Sequence, residues 1–381
     1  MTNKLALQEQ HELAGAKFIE FANYEMPINY GSQIQEHTAV RENIGVFDVS
    51  HMNVIDISGP DSNKFLRYLL ANDVAKIKAP GKALYSCLLN HDAGIIDDLV
   101  VYHLNANYYR VILNAARKET DLKWIYNELE KNNFNCHILE RNELIMLAVQ
   151  GPNSLDIFKN LDIQKIFKDS EIDNLYEKVA SLKLFECIEA ENYMIAATGY
   201  TGEKGFEILL KHNEAKLFWE ALMQMEVTPC GLGARDSLRL EAGLLLYGQD
   251  ITENDNLLDS NLKWTLALAD NDRNFIGKNK LLDIINNNKI ESSLIGVILE
   301  DKGVIRTNQE IHFDDGLKGI ITSGIYSPTL KKSIALARVP FIIKQEPEKY
   351  KTCKIAMRNN LANATIVKFP FVRNGKIICF N

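Results

Sequence analysis

Met52-Asn-Val-Ile-Asp-Ile-Ser-Gly-Pro-Asp-Ser62 decides how this chain is organised, because its pattern occurs twice. Met52–Ser58 has the composition of a strand, and the Gly-Pro pair after it marks a turn into a helix. Asp61 is a favourable helix N-cap, and apolar residues follow it at helical spacing. Leu144-Ile-Met-Leu-Ala-Val-Gln-Gly-Pro-Asn-Ser154 repeats the pattern and leads to Ile157, Phe158 and Leu161. The repeat predicts two related α+β units.

A predicted hairpin and a second helix follow each copy. The hairpins cover Ala83–Asn114 and about Leu184–Leu210. The apolar residues that mark the two helices are Leu122, Trp124, Ile125 and Leu129 in the first copy and Phe218, Trp219 and Leu222 in the second. A connecting segment with a helix near Lys278–Asn286 ends this part of the chain.

The last part of the chain has a different pattern. From Ser292 onward, short β-rich runs alternate with Gly, Asn, Asp and Pro, which is typical of a small antiparallel barrel or sandwich. We therefore predict three domains, at residues 1–140, at residues 141–288 including the connecting segment, and at residues 289–381.

Composition limits the classes of function. A chain of 381 residues can form two or three packed units, and 24% charged residues is an ordinary globular value. The net charge is −7 and no basic cluster stands out, so we expect no nucleic-acid partner. No apolar run approaches the roughly 20 residues that cross a bilayer, and the N-terminus lacks the apolar core of a signal peptide. We expect a cytoplasmic protein with no membrane association.

The cysteines and histidines do not form a metal-binding pattern. The six cysteines are far apart in sequence, without a Cys-x-x-Cys pair, so we expect buried, free thiols. The eight histidines show no ligand spacing, and we predict no metal site.

The segment Gly94-Ile-Ile-Asp-Asp-Leu-Val-Val-Tyr102 places two carboxylates in an apolar strand. Because a strand alternates its faces, Asp97 and Asp98 lie on opposite sides, each among apolar neighbours. A buried carboxylate without a partner is costly, so at least one of them needs a ligand, a cation or a cleft. The alternative is that both aspartates lie near the end of a hairpin strand, where water solvates their carboxylates.

Two further segments carry candidate binding residues. Thr198-Gly-Tyr-Thr-Gly-Glu-Lys-Gly-Phe-Glu207 predicts a sharp turn and then a strand carrying Glu207, although a plain hairpin loop has the same pattern. Gly231–Gly243 predicts an amphipathic helix with Arg235 in its first turn, where the helix dipole disfavours a cation. This position favours a ligand role for Arg235. A salt-bridged core helix with Glu241 as the partner is the alternative.

Three other polar residues stand near these segments. Tyr85 and Asn114 flank the Asp pair within the first predicted hairpin. His51, in Phe47-Asp-Val-Ser-His-Met52, is expected to be a hydrogen-bonded structural histidine of a strand.

Taken together, these segments resemble the aminomethyltransferase, or T-protein, of the glycine cleavage system. The matching motifs, in chain order, are Glu36-His-Thr-Ala-Val-Arg41, Phe47-Asp-Val-Ser-His-Met52, Ala83-Leu-Tyr-Ser86, Gly94-Ile-Ile-Asp-Asp98, Val149-Gln-Gly-Pro152, Thr198-Gly-Tyr-Thr-Gly202, Gly231-Leu-Gly-Ala-Arg-Asp236, Leu246-Tyr-Gly248 and Ile321-Thr-Ser-Gly324. So many matches in the same order make the resemblance very specific.

The resemblance implies a fold and a reaction. The fold would be a three-domain cloverleaf, with two related α+β units and a small C-terminal antiparallel β barrel around a central tetrahydrofolate site. The substrate would be an aminomethyl group on the lipoyl arm of H-protein, and the products ammonia, 5,10-methylenetetrahydrofolate and the reduced arm. By resemblance Asp98 is the essential acid, and the folate-site residues are Tyr85, Asn114, Tyr200, Glu207, Arg235 and, in Pro370-Phe-Val-Arg, Arg373.

Two other functions fit parts of this pattern. A folate-dependent demethylase of a small methyl donor would have a similar folate pocket. A folate-binding accessory protein for iron–sulfur enzymes would typically carry Lys-Gly-Cys-Tyr-x-Gly-Gln-Glu, whereas the comparable Gly248-Gln-Asp250 here follows Leu-Leu-Leu-Tyr and has no cysteine.

Overall fold

The computed structural model describes residues 2–167, 174–358 and 360–380. The strands are β1 (Asn3–Lys4), β2 (Lys17–Phe21), β3 (Tyr24–Asn29), β4 (Gly45–Asp48), β5 (Asn53–Ser58), β6 (Lys82–Leu89), β7 (Ile95–Asn105), β8 (Tyr108–Leu113), β9 (His137–Glu140), β10 (Leu144–Gln150), β11 (Cys187–Glu189), β12 (Tyr193–Ala196), β13 (Gly205–Lys211), β14 (Thr228–Pro229), β15 (Ser292–Leu299), β16 (Glu310–His312), β17 (Lys318–Ser327), β18 (Lys332–Pro340), β19 (Thr352–Ala356), β20 (Leu361–Val367), β21 (Val372–Arg373) and β22 (Lys376–Ile377).

The α-helices alternate with these strands, mainly in the first two thirds of the chain. They are α1 (Gln8–Leu13), α2 (Gln33–Glu42), α3 (Ser62–Leu69), α4 (Lys118–Lys131), α5 (Ile157–Asn160), α6 (Ile163–Phe167), α7 (Leu175–Ala180), α8 (His212–Gln224), α9 (Leu232–Glu241), α10 (Lys278–Asn286) and α11 (Ile342–Gln345). Short 3-10 turns cover Val74–Lys76, Ala115–Arg117, Ser154–Asp156 and Lys263–Thr265.

The chain separates into two compact units, and each unit is made of three separate segments of the sequence. The first unit contains Met1–Leu66, Val74–Tyr85 and Leu99–Asp236, and the second contains Arg67–Asp73, Ser86–Asp98 and Ser237–Asn381. The strands β6 and β7 therefore run from one unit into the other. The three-domain division of the sequence stays a prediction.

The strand–turn–helix repeat predicted from sequence is present. β5 leads into α3, and β10 leads into a 3-10 turn and α5. In the second copy Leu161 falls outside the helix, in an extended conformation. Asp162 explains the break, because its side chain accepts a hydrogen bond from the Lys165 amide and so caps the start of α6.

Each predicted hairpin is in fact a run of three strands. β6, β7 and β8 form one, and β11, β12 and β13 form the other. The first contains an additional turn because Asn107 adopts a left-handed conformation, with φ of 57°, between β7 and β8. The five-stranded sheet has the order β6-β7-β8-β5-β9, and the six-stranded sheet has the order β11-β12-β13-β10-β4-β14.

The core of the first unit lies between the six-stranded sheet and its helices. Phe218 and Trp219 of α8, predicted from helical spacing, are fully buried against β10 and β13 residues such as Leu147 and Ile208. Burying large aromatic side chains in this way contributes roughly 2–3 kcal/mol for each. This packing fixes β13, and with it the position of Glu207.

The C-terminal region forms a closed antiparallel barrel, which resolves the choice between barrel and sandwich. Its strand order is β15-β18-β17-β16-β19-β20, and all six pairings are antiparallel. The barrel interior is filled by Val297, Ile321, Ala337 and Ile355, each completely buried. The short strand β16 was not predicted from sequence. The α+β fold class with a C-terminal β barrel is confirmed.

The cysteines and the helices were also compared with the expectations from sequence. All six cysteines are free thiols, five of them buried. Among the described residues, no helix combines the length and the apolar composition needed to cross a bilayer.

Candidate functional site

The turn between β12 and β13 is anchored by two side chains from other elements. Gln150 of β10 accepts a hydrogen bond from the Thr201 hydroxyl at 2.8 Å and donates one to the Thr198 carbonyl at 3.1 Å. Arg41 of α2 donates to the Thr201 carbonyl at 2.7 Å. A Cβ at Gly199 would lie 2.0 Å from the Gln150 side chain, so a larger residue would have to displace Gln150 and disturb its hydrogen bonds to the turn. The glycine-rich turn is therefore a packed element and not a loose loop.

Glu207 lies in β13, as predicted, with its carboxylate in a partly shielded position. The Thr198 hydroxyl donates a hydrogen bond to Glu207 Oε2 at 2.5 Å, and the Tyr102 hydroxyl lies 3.0 Å from the same Thr198 oxygen. Burial raises the pKa of Glu207, while the Thr198 hydrogen bond and the charge of Arg235 act in the opposite direction. The site holds a carboxylate that is costly to ionise but supported by a donor and a cation.

Arg235 lies in the first turn of α9, where the sequence predicted it. Its guanidinium Cζ stands 4.6 Å from the centroid of the Tyr200 ring, a cation–π contact. The preceding amide of Gly231 donates to the Glu36 carboxylate at 3.0 Å, so an anion already faces this helix start. The structure thus brings Tyr200, Glu207 and Arg235 into one cluster.

Tyr85 and Asn114 also belong to the first unit. Tyr85 lies in β6 and Asn114 directly follows β8, and both side chains are partly exposed. The Asn114 carbonyl accepts a hydrogen bond from the Asn53 side chain at 3.0 Å, which fixes the backbone there. Both residues are accessible to a ligand of the first unit.

The structure distinguishes the two carboxylates of the Asp pair. Asp97 is completely buried, with 0% of its surface exposed, whereas Asp98 is partly exposed. The predicted alternation of faces therefore leaves Asp98 as the member that a substrate can reach.

Arg373 is exposed in the short hairpin of β21 and β22, opposite Lys376. Asp98 and Arg373 both belong to the second unit.

His51 is not the hydrogen-bonded strand residue expected from the sequence. It lies in the turn between β4 and β5, 3% exposed, and its Nδ1 has no hydrogen-bond partner among the described residues. Its ring contacts Phe21 edge-on, with 5.8 Å between centroids. Burial, together with the charge of Arg235, lowers the pKa of His51 to about 3. The ring is neutral at physiological pH.

Three polar residues in the first 50 positions form a buried hydrogen-bonded chain that the sequence alone does not indicate. His11 Nε2 lies 2.9 Å from the Asp48 carboxylate, and the Tyr30 hydroxyl lies 2.9 Å from His11 Nδ1. These residues are far apart in sequence. Asp48 was inside a recognised motif, but no spacing signal could have linked it to His11.

One cleft of the first unit lies apart from the predicted cluster, whereas a much smaller cavity borders the cluster. A cleft of about 320 Å³ is lined by none of the predicted site residues; it is bounded by Arg110, Arg141, Leu144, Glu189, Ala190, Glu191, Asn192, Tyr193, Met194, Leu209 and Lys211. Arg110 and Arg141 both pair there with the buried Asp56. A second cavity, of about 10 Å³, is bordered by Arg235. Among the described residues, no group of three or more His, Cys, Asp or Glu side chains is arranged to hold a metal ion.

Comparison with known proteins extends the likeness over the whole chain. Residues 7–270 match the GCVT N-terminal domain, and residues 293–373 match the glycine cleavage T-protein C-terminal barrel domain. An aminomethyltransferase of Alcanivorax borkumensis is 48% identical over 378 residues, which is 99% of each protein. The crystal structure of glycine cleavage system aminomethyltransferase T from Bartonella henselae superposes with a TM-score of 0.87 at 29% identity, covering 99% of this chain and 100% of that one. This chain belongs to the glycine cleavage T-protein family of aminomethyltransferases.

Proposed function

We propose that this aminomethyltransferase takes the aminomethyl group from the lipoyl arm of H-protein and delivers its carbon to tetrahydrofolate. The products are 5,10-methylenetetrahydrofolate, ammonia and the dihydrolipoyl arm. The observation that carries the proposal is the cluster of Tyr200, Glu207 and Arg235 in the first unit. An aromatic ring, a shielded carboxylate and a guanidinium are the groups that a reduced pterin with an acidic tail requires.

Glu207 is proposed to recognise the pterin ring. The ring presents an exocyclic amino group and a neighbouring N–H, which together match the two oxygens of one carboxylate. Glu207 Oε2 already accepts a hydrogen bond from Thr198, and each carboxylate oxygen has a second lone pair available. The partly shielded position strengthens these hydrogen bonds, because less water competes for them.

Arg235 and Tyr200 are proposed to hold the remaining parts of the folate. A guanidinium can donate to the pterin carbonyl or to the glutamate tail, and the Tyr200 ring offers a flat surface for stacking. Tyr85 and Asn114, both partly exposed, are proposed to line the same site. Arg373, also exposed, is proposed as an additional cation for the folate.

Asp98 is proposed as the catalytic acid–base group. Ammonia leaves the S–CH2–NH3+ carrier with the electron pair of the carbon–nitrogen bond, and N5 of folate attacks the electrophilic methylene and loses its hydrogen as a proton. N10 then attacks the same carbon, displaces the sulfur as a thiolate and also loses a proton. One of these two protons converts the thiolate to the dihydrolipoyl thiol, and the other is the net proton released. A carboxylate at Asp98 would orient the folate, stabilise the developing positive charge and accept that proton. Its partial exposure, in contrast to the buried Asp97, supports this assignment.

A reconstituted assay tests the proposal. The protein is mixed with tetrahydrofolate and aminomethylated H-protein, and both ammonia and 5,10-methylenetetrahydrofolate are measured. One equivalent of each product per carrier consumed is the expected result. A folate product formed from a free methylated amine, and not from H-protein, would instead identify a demethylase.

We also propose that the reaction takes place in the cytoplasm.

A further inference from the structure

A hydrogen-bonded relay connects three side chains of the first unit. Tyr102 in β7 is 1% exposed, and its hydroxyl lies 3.0 Å from Thr198 Oγ1. Thr198, itself 6% exposed, donates to Glu207 Oε2 at 2.5 Å. The relay joins the five-stranded sheet, through Tyr102, to the six-stranded sheet, through Glu207.

The direction of the relay follows from the number of hydrogens. The Thr198 hydroxyl is the donor to Glu207 Oε2, so its single hydrogen is committed to Glu207. Tyr102 must then be the donor to Thr198. The Tyr102 hydroxyl remains protonated at physiological pH, because burial and the nearby charge of Glu207 both raise its pKa well above the ordinary value. Tyr102 therefore holds Thr198 in the orientation that donates to Glu207.

The backbone of Thr198 is fixed as well. Its carbonyl accepts a hydrogen bond from Gln150 Nε2 at 3.1 Å, so the residue cannot turn away without losing contacts at both ends. With Oε2 held by Thr198, the rotation of the Glu207 carboxylate is restricted. A carboxylate held in this way loses less conformational freedom when a ligand binds.

We propose that Tyr102 and Thr198 are positioning residues that orient Glu207 to receive the amino group and ring N–H of the reduced pterin. This inference rests on the proposed function, in which Glu207 binds folate. The competing explanation is that the relay only ties two sheets together and contributes to stability without affecting ligand binding.

A double-mutant cycle separates these explanations. The variants are Tyr102→Phe, Glu207→Gln and the combination, and the measurement is the Kd of tetrahydrofolate by calorimetry under anaerobic conditions. Tyr109→Phe is the matched control, because Tyr109 is also buried and its hydroxyl is bonded to the Asn63 side chain at 2.8 Å, away from the relay. The melting temperature of each variant is recorded in parallel.

We expect Tyr102→Phe to raise the Kd about 3- to 10-fold, the range that corresponds to one hydrogen bond. In the Glu207→Gln background the same substitution should change the Kd by less than about 2-fold, because the oriented charge is already lost. Tyr109→Phe should leave the Kd unchanged even if it lowers the melting temperature. Thr198→Ser, which keeps the hydroxyl, should bind like the parent protein, whereas Thr198→Val should behave like Tyr102→Phe or worse.

Three results would overturn the inference, and the third would also overturn the proposed function. An unchanged Kd in a folded Tyr102→Phe variant means that the relay does not position Glu207. An equal effect of Tyr102→Phe with and without Glu207→Gln means that Tyr102 acts by another route. If Glu207→Gln itself leaves the Kd unchanged, the proposed folate site fails, and this inference fails with it.

Discussion

The guanidinium of Arg235 lies over the ring of Tyr200, with 4.6 Å between Cζ and the ring centroid. The two residues come from different elements, since Arg235 lies in the first turn of α9 and Tyr200 lies in the turn before β13. The contact holds a cation in the first turn of a helix, against the preference of the helix dipole. An arginine in this unfavourable position is expected where its side chain binds a ligand.

Replacement of Arg235 tests this role. Arg235→Lys keeps the charge but loses the planar group that stacks on Tyr200 and donates in a fork. We expect the Kd of tetrahydrofolate to rise about 10-fold, in the range of a partly shielded cation–π contact. Arg306→Lys is the control, because Arg306 is exposed in the C-terminal region. An unaltered Kd for Arg235→Lys would contradict the ligand role.

Replacement of Asp98 tests the chemistry. Asp98→Asn keeps the shape and removes the charge, so we expect the rate of methylene transfer at saturating folate to fall about 10²- to 10³-fold. Single-turnover formation of 5,10-methylenetetrahydrofolate measures this directly. Asp92→Asn, in the exposed turn before β7, is the matched control and should react at the parent rate. Equal rates for the two variants would remove Asp98 from the mechanism.

Ionisation of Glu207 should cost stability. A carboxyl group whose pKa is raised on folding binds its proton more tightly in the folded state, so folding becomes less favourable as the pH rises through that pKa. Glu207→Gln removes this cost and should raise the melting temperature at pH 8, with a smaller gain near pH 5. Thermal unfolding at both pH values checks the sign. A gain that is larger at the lower pH would show that burial does not dominate the environment of Glu207.

The second unit contains a buried ion pair whose loss should be severe. Arg239 in α9 donates to Asp250 at 2.8 Å, and Thr322 of β17 donates to the other Asp250 oxygen at 2.5 Å. Asp250→Ala leaves the Arg239 charge buried without this partner, and we expect a loss of about 3–5 kcal/mol in calorimetric unfolding. Glu310→Ala removes an exposed pair with Lys318 and should cost under about 1 kcal/mol. Similar losses for both variants would contradict this comparison.

The pair of Arg239 and Asp250 also changes the interpretation of α9. From sequence alone, Glu241 is a possible partner for the arginines of its own helix. Its carboxylate instead accepts hydrogen bonds from Ser327 and Thr329, while Arg239 pairs with Asp250. Helical spacing identified the charged residues, but not the partners that folding brings to them.

The sequence by itself determined the elements that depend on near neighbours. The strand Leu144–Gln150 and the helix Lys278–Asn286 have the predicted bounds, and the Gly-Pro turns lead into helices. Side-chain alternation correctly separated the faces of Asp97 and Asp98. These features depend on backbone propensities, capping and periodicity, which act over a few residues.

Only the tertiary structure decided which of these polar groups meet, and how far each is shielded from water. Alternation could not say that Asp97 is the buried acid and Asp98 the accessible one. No spacing rule joins Tyr102 to Thr198 and Glu207, because the contact arises where two sheets pack. Hydrogen bonds and desolvation depend on distances in space, and these are set by the packing of segments that lie far apart along the chain.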